Sequence, residues 1–255
     1  MAGGRRMIVQ YIRSALFAFI ALPIWTLIIC IFGSPFLLMP RTTFMKLIHL
    51  WADGVAWLEA VILNLRYEVR GIEHLPADQH CIVASKHQST YETFKIHNLF
   101  KDSAIILKKE LFRVPLWGQY LMKTGAIAID RSTPEKAIVS VRDGAIKVAN
   151  EKRTIVIYPQ GTRVTPETTP KDVSYKPGVF RIHEATGLPV VPLATNSGCF
   201  WPKGSLLKRP GTVVFEFLPA LPAGLSRKDM MAHLQDTIEE RSNALAEEVR
   251  NKAPY

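Results

Sequence analysis

Short apolar runs alternate with longer amphipathic stretches along the chain from residue 66 onward. Seven of these runs are short and strand-like, and the run at residues 81–84, for example, carries β-branched residues and is followed by polar residues. The predicted strands cover residues 67–70, 81–85, 104–107, 126–129, 154–158, 190–194 and 212–217. Apolar side chains at helical spacing predict helices near residues 91–100, 116–123, 134–150, 177–186 and 227–252. This alternation is typical of an α/β domain with helices over the faces of its sheet.

An apolar stretch without any charged residue covers residues 14–40. It exceeds the roughly 20 residues that a membrane span needs. Pro23 and then residues 33–35 (Gly-Ser-Pro) interrupt it. Basic residues stand on both sides of the stretch, at Arg5, Arg6, Arg13, Arg41 and Lys46. Positive charge on both flanks favours a hairpin whose two ends are cytoplasmic. A single span and a pair of buried helices in a soluble protein are the alternatives.

Residues 42–65 carry apolar side chains at helical spacing, which predicts one amphipathic helix. Its apolar face suits either a lipid surface or the core of the domain that follows. We therefore expect two parts in the chain. Residues 1–65 form a membrane-anchoring helical segment, and residues 66–255 form the α/β domain.

The composition narrows the class of protein. With 32 Lys and Arg residues against 22 Asp and Glu residues, the formal net charge is +10. This charge suits anionic lipid or a phosphorylated substrate. Basic tracts interleaved with aromatic residues are absent from the sequence, so no nucleic-acid partner is expected. The three cysteines, Cys30, Cys81 and Cys199, are scattered and lack C-x-x-C spacing, which predicts reduced thiols in a cytosol-facing domain without structural zinc.

A histidine and a glutamate follow the predicted strand at residues 81–85. His87 would lie at the C-terminal end of that strand, where open α/β sheets place their ligand sites. Glu92 falls in the predicted first turn of the next helix, so its carboxylate can fold back onto the imidazole and fix its tautomer. The pair is a candidate general base with its orienting acid. A structural histidine beside an acid is the alternative.

Cations follow three other predicted strands. Lys108 and Arg131 each come after one strand, and Gly161, Thr162 and Arg163 form a turn after another. Gly161 permits close approach of the backbone, and Thr162 and Arg163 can bind oxyanions. Any one of these cations could be a solvated surface charge. Together at one sheet edge, they would hold a phosphate monoester beside the imidazole.

In these motifs and their order, the chain resembles the glycerolipid acyltransferases of the 1-acyl-sn-glycerol-3-phosphate acyltransferase (PlsC-type) family. The family blocks are N-H-x-x-x-x-D, G-x-x-F-I-D-R, F-P-E-G-T-R and a V-P-V-like strand. They are matched here by residues 86–92, 125–131, 158–163 and 190–193. The resemblance covers residues 67–217. It implies a mixed α/β sheet with flanking helices, preceded by an N-terminal membrane-associated helical segment.

The resemblance also implies an activity: transfer of a fatty acyl group from acyl-CoA or acyl carrier protein to the 2-hydroxyl of lysophosphatidate, without a cofactor or metal. His87 would be the general base and Glu92 its orienting acid. The residues expected to contact substrate are Lys108, Arg131, Gln160, Gly161, Thr162 and Arg163. Residues 66–255 would be the catalytic domain, on the cytoplasmic face of the cell inner membrane. The alternatives are an acyltransferase for another lysolipid, such as a lyso-aminolipid, and a catalytically silent lipid-binding protein.

Three residues depart from the family pattern. Glu92 stands in place of Asp and adds a methylene, so its backbone must lie slightly farther from His87. Tyr158 replaces Phe and keeps the ring. Gln160 replaces Glu and removes a negative charge, which predicts an effect on the choice of acceptor more than on the chemistry. Ser89 offers a covalent alternative, but no G-x-S-x-G motif surrounds it.

Overall fold

The structure is a computed structural model that describes residues 2–252. Within this range the strands are β1 (Leu65–Arg70), β2 (Ile82–Ser85), β3 (Ser103–Lys108), β4 (Ile127–Ile129), β5 (Thr154–Ile157), β6 (Val190–Thr195) and β7 (Gly211–Phe217). The α-helices are α1 (Ala2–Leu16), α2 (Leu22–Phe32), α3 (Arg41–Leu58), α4 (Tyr91–Leu99), α5 (Trp117–Lys123), α6 (Pro134–Asn150), α7 (Gly178–Thr186), α8 (Ser197–Phe200) and α9 (Arg227–Lys252). Each strand begins and ends within two residues of its predicted bounds.

The strands form one seven-stranded sheet in the order β1-β7-β6-β2-β5-β3-β4. The five strands from β6 to β4 run parallel to one another. Strand β7 pairs antiparallel with β6 and parallel with β1. Strands β1 and β7 therefore run opposite to the other five. The predicted mixed α/β sheet with flanking helices is therefore confirmed. Because β2, β5, β3 and β4 are parallel, the residues that follow them lie at one edge of the sheet.

The N-terminal helix continues past Pro23, where the sequence indicates an interruption. A π-helical turn at Phe17–Ala21 joins α1 to α2, and Pro23 lies in the first turn of α2. A π-turn shifts the hydrogen-bond pattern, so the N–H that proline lacks does not break the helix. The joined helix from Ala2 to Phe32 is about 46 Å long at 1.5 Å per residue.

The chain does turn at residues 33–35, as predicted. A 3-10 turn at Ser34–Leu38 leads into α3, which packs back against α2. Trp25 Nε1 donates to the carbonyl oxygen of Trp51 at 3.0 Å, and Trp51 Nε1 donates to Thr26 Oγ1 at 3.1 Å. The second arm of this hairpin is α3, not the C-terminal half of the apolar stretch.

Two hydrophobic cores cover the two faces of the sheet. Val83 of β2 belongs to the core that contains the buried residues Phe17 and Trp51 of the N-terminal segment. Its neighbours Ile82 and Ala84 belong to the core under α6, α7 and α9, as expected from the alternating faces of a strand. Helices α1 to α3 therefore share a core with the sheet. The functional division at residue 65 stays a prediction.

Candidate active site

Glu92 holds the imidazole of His87 by one ring nitrogen. His87 follows β2, Glu92 lies in the first turn of α4, and His87 Nδ1 is 3.1 Å from Glu92 Oε2. Because a carboxylate only accepts hydrogen bonds, Nδ1 carries the proton of this bond. Nε2 is left as the basic nitrogen, and the side chain of His87 lines a cavity.

The carboxylate of Glu92 is itself held on several sides. It is 2% exposed and accepts hydrogen bonds from the backbone N–H groups of Gln88 (3.1 Å) and Ser89 (3.0 and 2.9 Å). The hydroxyl of Ser197, at the start of α8, also donates to it. These donors fix the position of the carboxylate beside His87. The longer side chain of Glu92 thus reaches the backbone N–H groups of Gln88 and Ser89 and the hydroxyl of Ser197.

The backbone and ring of His87 are held by the segment that follows β5. The backbone N–H of His87 donates to Gln160 Oε1 at 3.2 Å, and its carbonyl oxygen accepts from the N–H of Val164 at 2.8 Å. The His87 ring stacks on Tyr158, with centroids 4.0 Å apart and planes 17° apart. Burial, and then the charge of Glu92, raise the pKa of Tyr158 well above its usual value. Tyr158 is therefore a neutral platform for the imidazole.

A cavity of about 1050 Å³ opens in front of His87. Apolar side chains from the sheet and α7 form part of its wall, namely Ile105, Leu107, Ile129, Ile157 and Ile182. Cationic side chains surround it, namely Lys108, Arg131, Arg142, Arg163, Lys176 and Arg181. None of the described residues that line the cavity is acidic. The cavity therefore combines an apolar wall with a positive field, which suits an amphiphile with an anionic group.

Most of the predicted substrate-binding residues line this cavity. Gly161 has a left-handed φ of +67°, and its carbonyl oxygen accepts from Arg131 Nη2 at 3.4 Å. Arg163 Nη1 donates to Thr90 Oγ1 at 2.6 Å, at the start of α4. Lys108 lies at the end of β3 and is exposed to the cavity. The structure thus brings together the cations that the sequence predicts to meet.

Gln160 differs in position from the other predicted substrate-binding residues. Its side chain is 2% exposed, does not line the cavity and accepts the His87 N–H instead. The structure therefore places Gln160 away from the substrate space, and its effect on the choice of acceptor stays a prediction. The residue supports the backbone of the base, because its amide oxygen points to the strand end and not to the substrate space.

Asp130 neutralises one of the nearby cations. Lys109 Nζ is 2.7 Å from Asp130 Oδ2, and the N–H of Ser132 donates to Oδ1 at 2.9 Å. These hydrogen bonds, the one from Lys109 first, hold the pKa of Asp130 below its usual value. The carboxylate therefore stays ionised and fixes the turn that leads to Arg131.

Sequence reasoning missed four residues of the site: Arg142, Lys176, Arg181 and Ser197. Lys176 stands two residues before α7, and a basic residue next to Pro-Gly at a helix start was a usable signal. Ser197 lies 105 residues from Glu92 in the chain, and nothing in its local sequence indicates the contact. No group of three or more His, Cys, Asp or Glu side chains placed to hold a metal ion occurs among residues 2–252.

Comparisons with known proteins show the family of this chain. A family model described as "Acyltransferase" matches residues 66–196, the range that contains His87, Glu92 and Arg163. The chain is 36% identical over 183 residues to the 1-acyl-sn-glycerol-3-phosphate acyltransferase of Pseudomonas aeruginosa, which covers 72% of this chain and 70% of that one. It is 25% identical over 243 residues to the enzyme of the same name from Escherichia coli, with 93% and 96% covered.

A solved structure shares the fold. The crystal structure of the 1-acyl-sn-glycerophosphate (LPA) acyltransferase PlsC from Thermotoga maritima superposes with a TM-score of 0.72 at 22% identity. The superposition covers 94% of this chain and 98% of that chain. The N-terminal helices are therefore part of the shared architecture as well as the sheet.

Proposed function

The chain belongs to the Acyltransferase family, and from this membership we propose that it transfers a fatty acyl group to the 2-hydroxyl of lysophosphatidate to form phosphatidate. The observation that carries the proposal is the His87–Glu92 pair at the edge of a cationic cavity. The names of the relatives support the same acceptor.

The geometry supports direct attack by the acceptor, with His87 as general base. Nε2 of His87 takes the proton of the acceptor hydroxyl while the hydroxyl oxygen bonds to the carbonyl carbon of the thioester. The C–S bond then breaks, and the thiolate leaves with the proton that the imidazolium returns. Glu92 stabilises the imidazolium through Nδ1, as the acid of a catalytic triad does. Ser89 is fully buried, and its Oγ accepts from the N–H of Tyr91 at 3.0 Å, so it is unsuited to act as a nucleophile.

Cations at the strand ends suit the phosphate of the acceptor. A phosphomonoester carries a charge of about −1.5 to −2 at neutral pH. Arg163 is oriented by Thr90, and Arg131 by the carbonyl of Gly161, so both guanidinium groups are partly pre-organised. Lys108 adds a third positive charge at the cavity. A lyso-aminolipid, which has no phosphate, would leave these charges unmatched.

The N-terminal segment, residues 1–65, is proposed to attach the enzyme to the membrane. Helical residues Gly4–Phe32 are long and apolar enough to cross a bilayer, and only 17% of the most apolar window is buried. One face of this helix packs on the domain at both ends. Gln10 Nε2 donates to the carbonyl of Lys208 at 2.7 Å, and Tyr120 Oη donates to the carbonyl of Cys30 at 2.7 Å.

Because this helix packs on the domain near both of its ends, we propose that it lies in the membrane interface and does not cross the bilayer. The opposite face exposes apolar side chains such as Phe19 (70%), Ile24 (53%) and Phe32 (77%), and α3 adds Trp57 (64%). An amphipathic surface of this kind inserts into the headgroup region. We place the catalytic domain on the cytoplasmic face of the inner membrane.

The test is acyl transfer by the purified protein from a labelled acyl donor to a panel of lysolipids. The panel contains lysophosphatidate, lysophosphatidylcholine and a lyso-aminolipid. Turnover should be fastest with lysophosphatidate and about 10³-fold slower in His87→Ala. Faster turnover with the lyso-aminolipid would show that lysophosphatidate is not the preferred acceptor. Equal turnover in His87→Ala and wild type would show that His87 is not the general base.

A further inference from the structure

The cavity carries more positive charge than one acceptor phosphate requires. Of its six cationic residues, Arg142 pairs with Asp143 at 2.9 Å. The other five have no carboxylate partner among residues 2–252, namely Lys108, Arg131, Arg163, Lys176 and Arg181. A phosphomonoester neutralises about two positive charges. The surplus fits a second anionic group, and the only other substrate of the proposed reaction is the acyl donor.

Two of the surplus cations belong to one segment at the start of α7. Lys176 lies two residues before α7, and Arg181 lies in its first turn. Both line the cavity, as do Ile138 and Val141 of α6. Lys176 Nζ is close to the Gly161 turn, because a Cβ on Gly161 would lie 3.1 Å from it. The α7 segment thus adds two cations to the cavity, one of them beside the Gly161 turn.

A buried carboxylate ties this segment to the catalytic base. Lys86 precedes His87, is fully buried, and its Nζ donates to Glu239 Oε2 of α9 at 2.8 Å. The hydroxyl of Tyr175, which precedes Lys176, donates to the other oxygen, Oε1, also at 2.8 Å. A single carboxylate therefore holds the residue before the base and the residue before the cation.

A second contact fixes the same segment to the site. The N–H of Lys176 donates to the carbonyl of Pro159 at 2.8 Å, in the turn that carries Gly161. Burying the Lys86–Glu239 pair costs desolvation free energy that an apolar contact would avoid. The pair therefore contributes little net stability. It does fix the geometry between Lys86, next to the base His87, and Tyr175, next to the cation Lys176.

Resting on the proposed function, we propose that Lys176 and Arg181 bind the phosphate of the acyl donor's phosphopantetheine arm, and that Glu239 is the positioning residue that holds them relative to His87. Coenzyme A and acyl carrier protein both carry this phosphate ester, at the end of the pantetheine arm that is far from the thioester. The subsite therefore recognises chemistry that the two donors share.

The experiment measures KM for three donors at saturating lysophosphatidate, and KM for lysophosphatidate at saturating acyl-CoA, with Lys176→Ala, Arg181→Ala and the double variant. The donors are acyl-CoA, acyl-acyl carrier protein and acyl-pantetheine, which lacks the phosphate. A charge-assisted hydrogen bond corresponds to about a tenfold change in binding. Each single variant should therefore raise KM for the two phosphorylated donors about tenfold. The kcat/KM for acyl-pantetheine should stay unchanged.

Lys171→Ala is the matched control, because Lys171 is exposed, lies in the loop before α7 and does not line the cavity. It should leave every donor unaffected. A rise in KM confined to lysophosphatidate, an equal loss with acyl-pantetheine, or an effect on one phosphorylated donor alone would overturn the assignment. Failure of the wild-type protein to acylate lysophosphatidate would instead refute the proposed function.

Tyr175→Phe tests the positioning role of Glu239 without leaving a buried charge unpaired. It removes only the hydrogen bond to Glu239, so KM for acyl-CoA should rise about fivefold while kcat with acyl-pantetheine stays unchanged. Ser242→Ala is its control, since Ser242 also joins α9 to the sheet, by accepting from the N–H of Thr195. Equal kinetic effects of the two variants would assign Glu239 to packing alone.

Discussion

Gln160 Oε1 accepts a hydrogen bond from the backbone N–H of His87 at 3.2 Å. The contact joins the segment after β5 to the end of β2, and Gln160 is almost fully buried there. An acceptor oxygen is needed at this place because an unpaired buried N–H is costly. Glutamate, the residue usual in the related motif, would supply such an oxygen as well as glutamine does.

Gln160→Glu should therefore change little, whereas Gln160→Leu should be harmful. The Glu variant keeps the acceptor, so its kcat/KM for lysophosphatidate should stay within about threefold of wild type. The Leu variant leaves the His87 N–H unpaired, which should lower the free energy of unfolding by about 1–3 kcal/mol. Urea unfolding and steady-state kinetics measure the two effects. A changed preference among lysolipids in Gln160→Glu would show that Gln160 does more than accept the hydrogen bond from the His87 N–H.

Substitutions of the His87–Glu92 pair distinguish the contribution of the charge of Glu92 from that of the length of its side chain. His87→Ala should lower kcat about 10³-fold, with the fold intact by circular dichroism. Glu92→Gln keeps the length but presents an N–H to Nδ1, which favours the wrong tautomer, so its loss should also be roughly 10³-fold.

Glu92→Asp keeps the charge but withdraws the carboxylate from its donors at Gln88, Ser89 and Ser197. We expect an intermediate loss of about 10-fold to 100-fold in kcat. Wild-type kcat in Glu92→Gln would show that Glu92 does not orient the imidazole.

Sequence patterns predicted what depends on local order and missed what depends on distant contacts. Short apolar runs predict the strands. Because these strands are parallel, Lys108, Arg163 and His87, which follow them, lie at one edge of the sheet. The Glu92–Ser197 and Lys86–Glu239 contacts join residues 105 and 153 positions apart, and no local pattern encodes them. At Pro23 the preceding π-turn, which has no sequence signature, preserved the helix.

Arg163 should act on the acceptor and not on the donor. Removing its guanidinium in Arg163→Ala should raise KM for lysophosphatidate by about tenfold to a hundredfold. Arg163→Lys should recover part of the loss, since it keeps the charge without the planar fork. Thr90→Val removes the hydroxyl that orients Arg163 and should raise the same KM more mildly. Initial rates at varied acceptor measure all three, and an unchanged acceptor KM in Arg163→Ala would exclude the phosphate contact.

Asp102 should make stability depend on pH. Its carboxylate accepts from Arg41 of α3 and from Arg153 Nε, the latter at 2.8 Å. Burial favours the neutral carboxyl, but the hydrogen bond from Arg41 and the charge of Arg153 outweigh it and lower the pKa of Asp102. A lowered pKa contributes stability above the usual value of 3.8, and that contribution disappears as the pH falls through the folded-state pKa.

Asp102→Asn should therefore be less stable than wild type by about 2 kcal/mol near neutral pH, and the difference should shrink below about pH 4. Urea unfolding at a series of pH values measures it. A stability difference that is independent of pH would show that the hydrogen-bond geometry, and not the charge of Asp102, carries the contribution.

The exposed apolar face of the N-terminal segment should determine membrane binding. Phe19, Ile24 and Trp57 are 70%, 53% and 64% exposed. Burying one such side chain in lipid contributes about 1.5–3 kcal/mol, so replacing all three by serine should weaken binding to anionic vesicles more than about 100-fold. Cosedimentation with vesicles measures the affinity. Activity on a dispersed short-chain substrate should be retained, because none of the three lines the cavity.

A matched triple variant distinguishes this surface from general surface hydrophobicity. Three apolar side chains elsewhere on the domain are also exposed, though less so, and are replaced in the same way, namely Ile72 (52%), Val139 (45%) and Ile146 (37%). This control should bind vesicles as wild type does, because its side chains lie outside the α1–α3 surface. Equal loss of binding in the two triple variants would mean that the N-terminal helices are not the membrane contact. Retained binding in the first variant would return the apolar helix to a purely structural role.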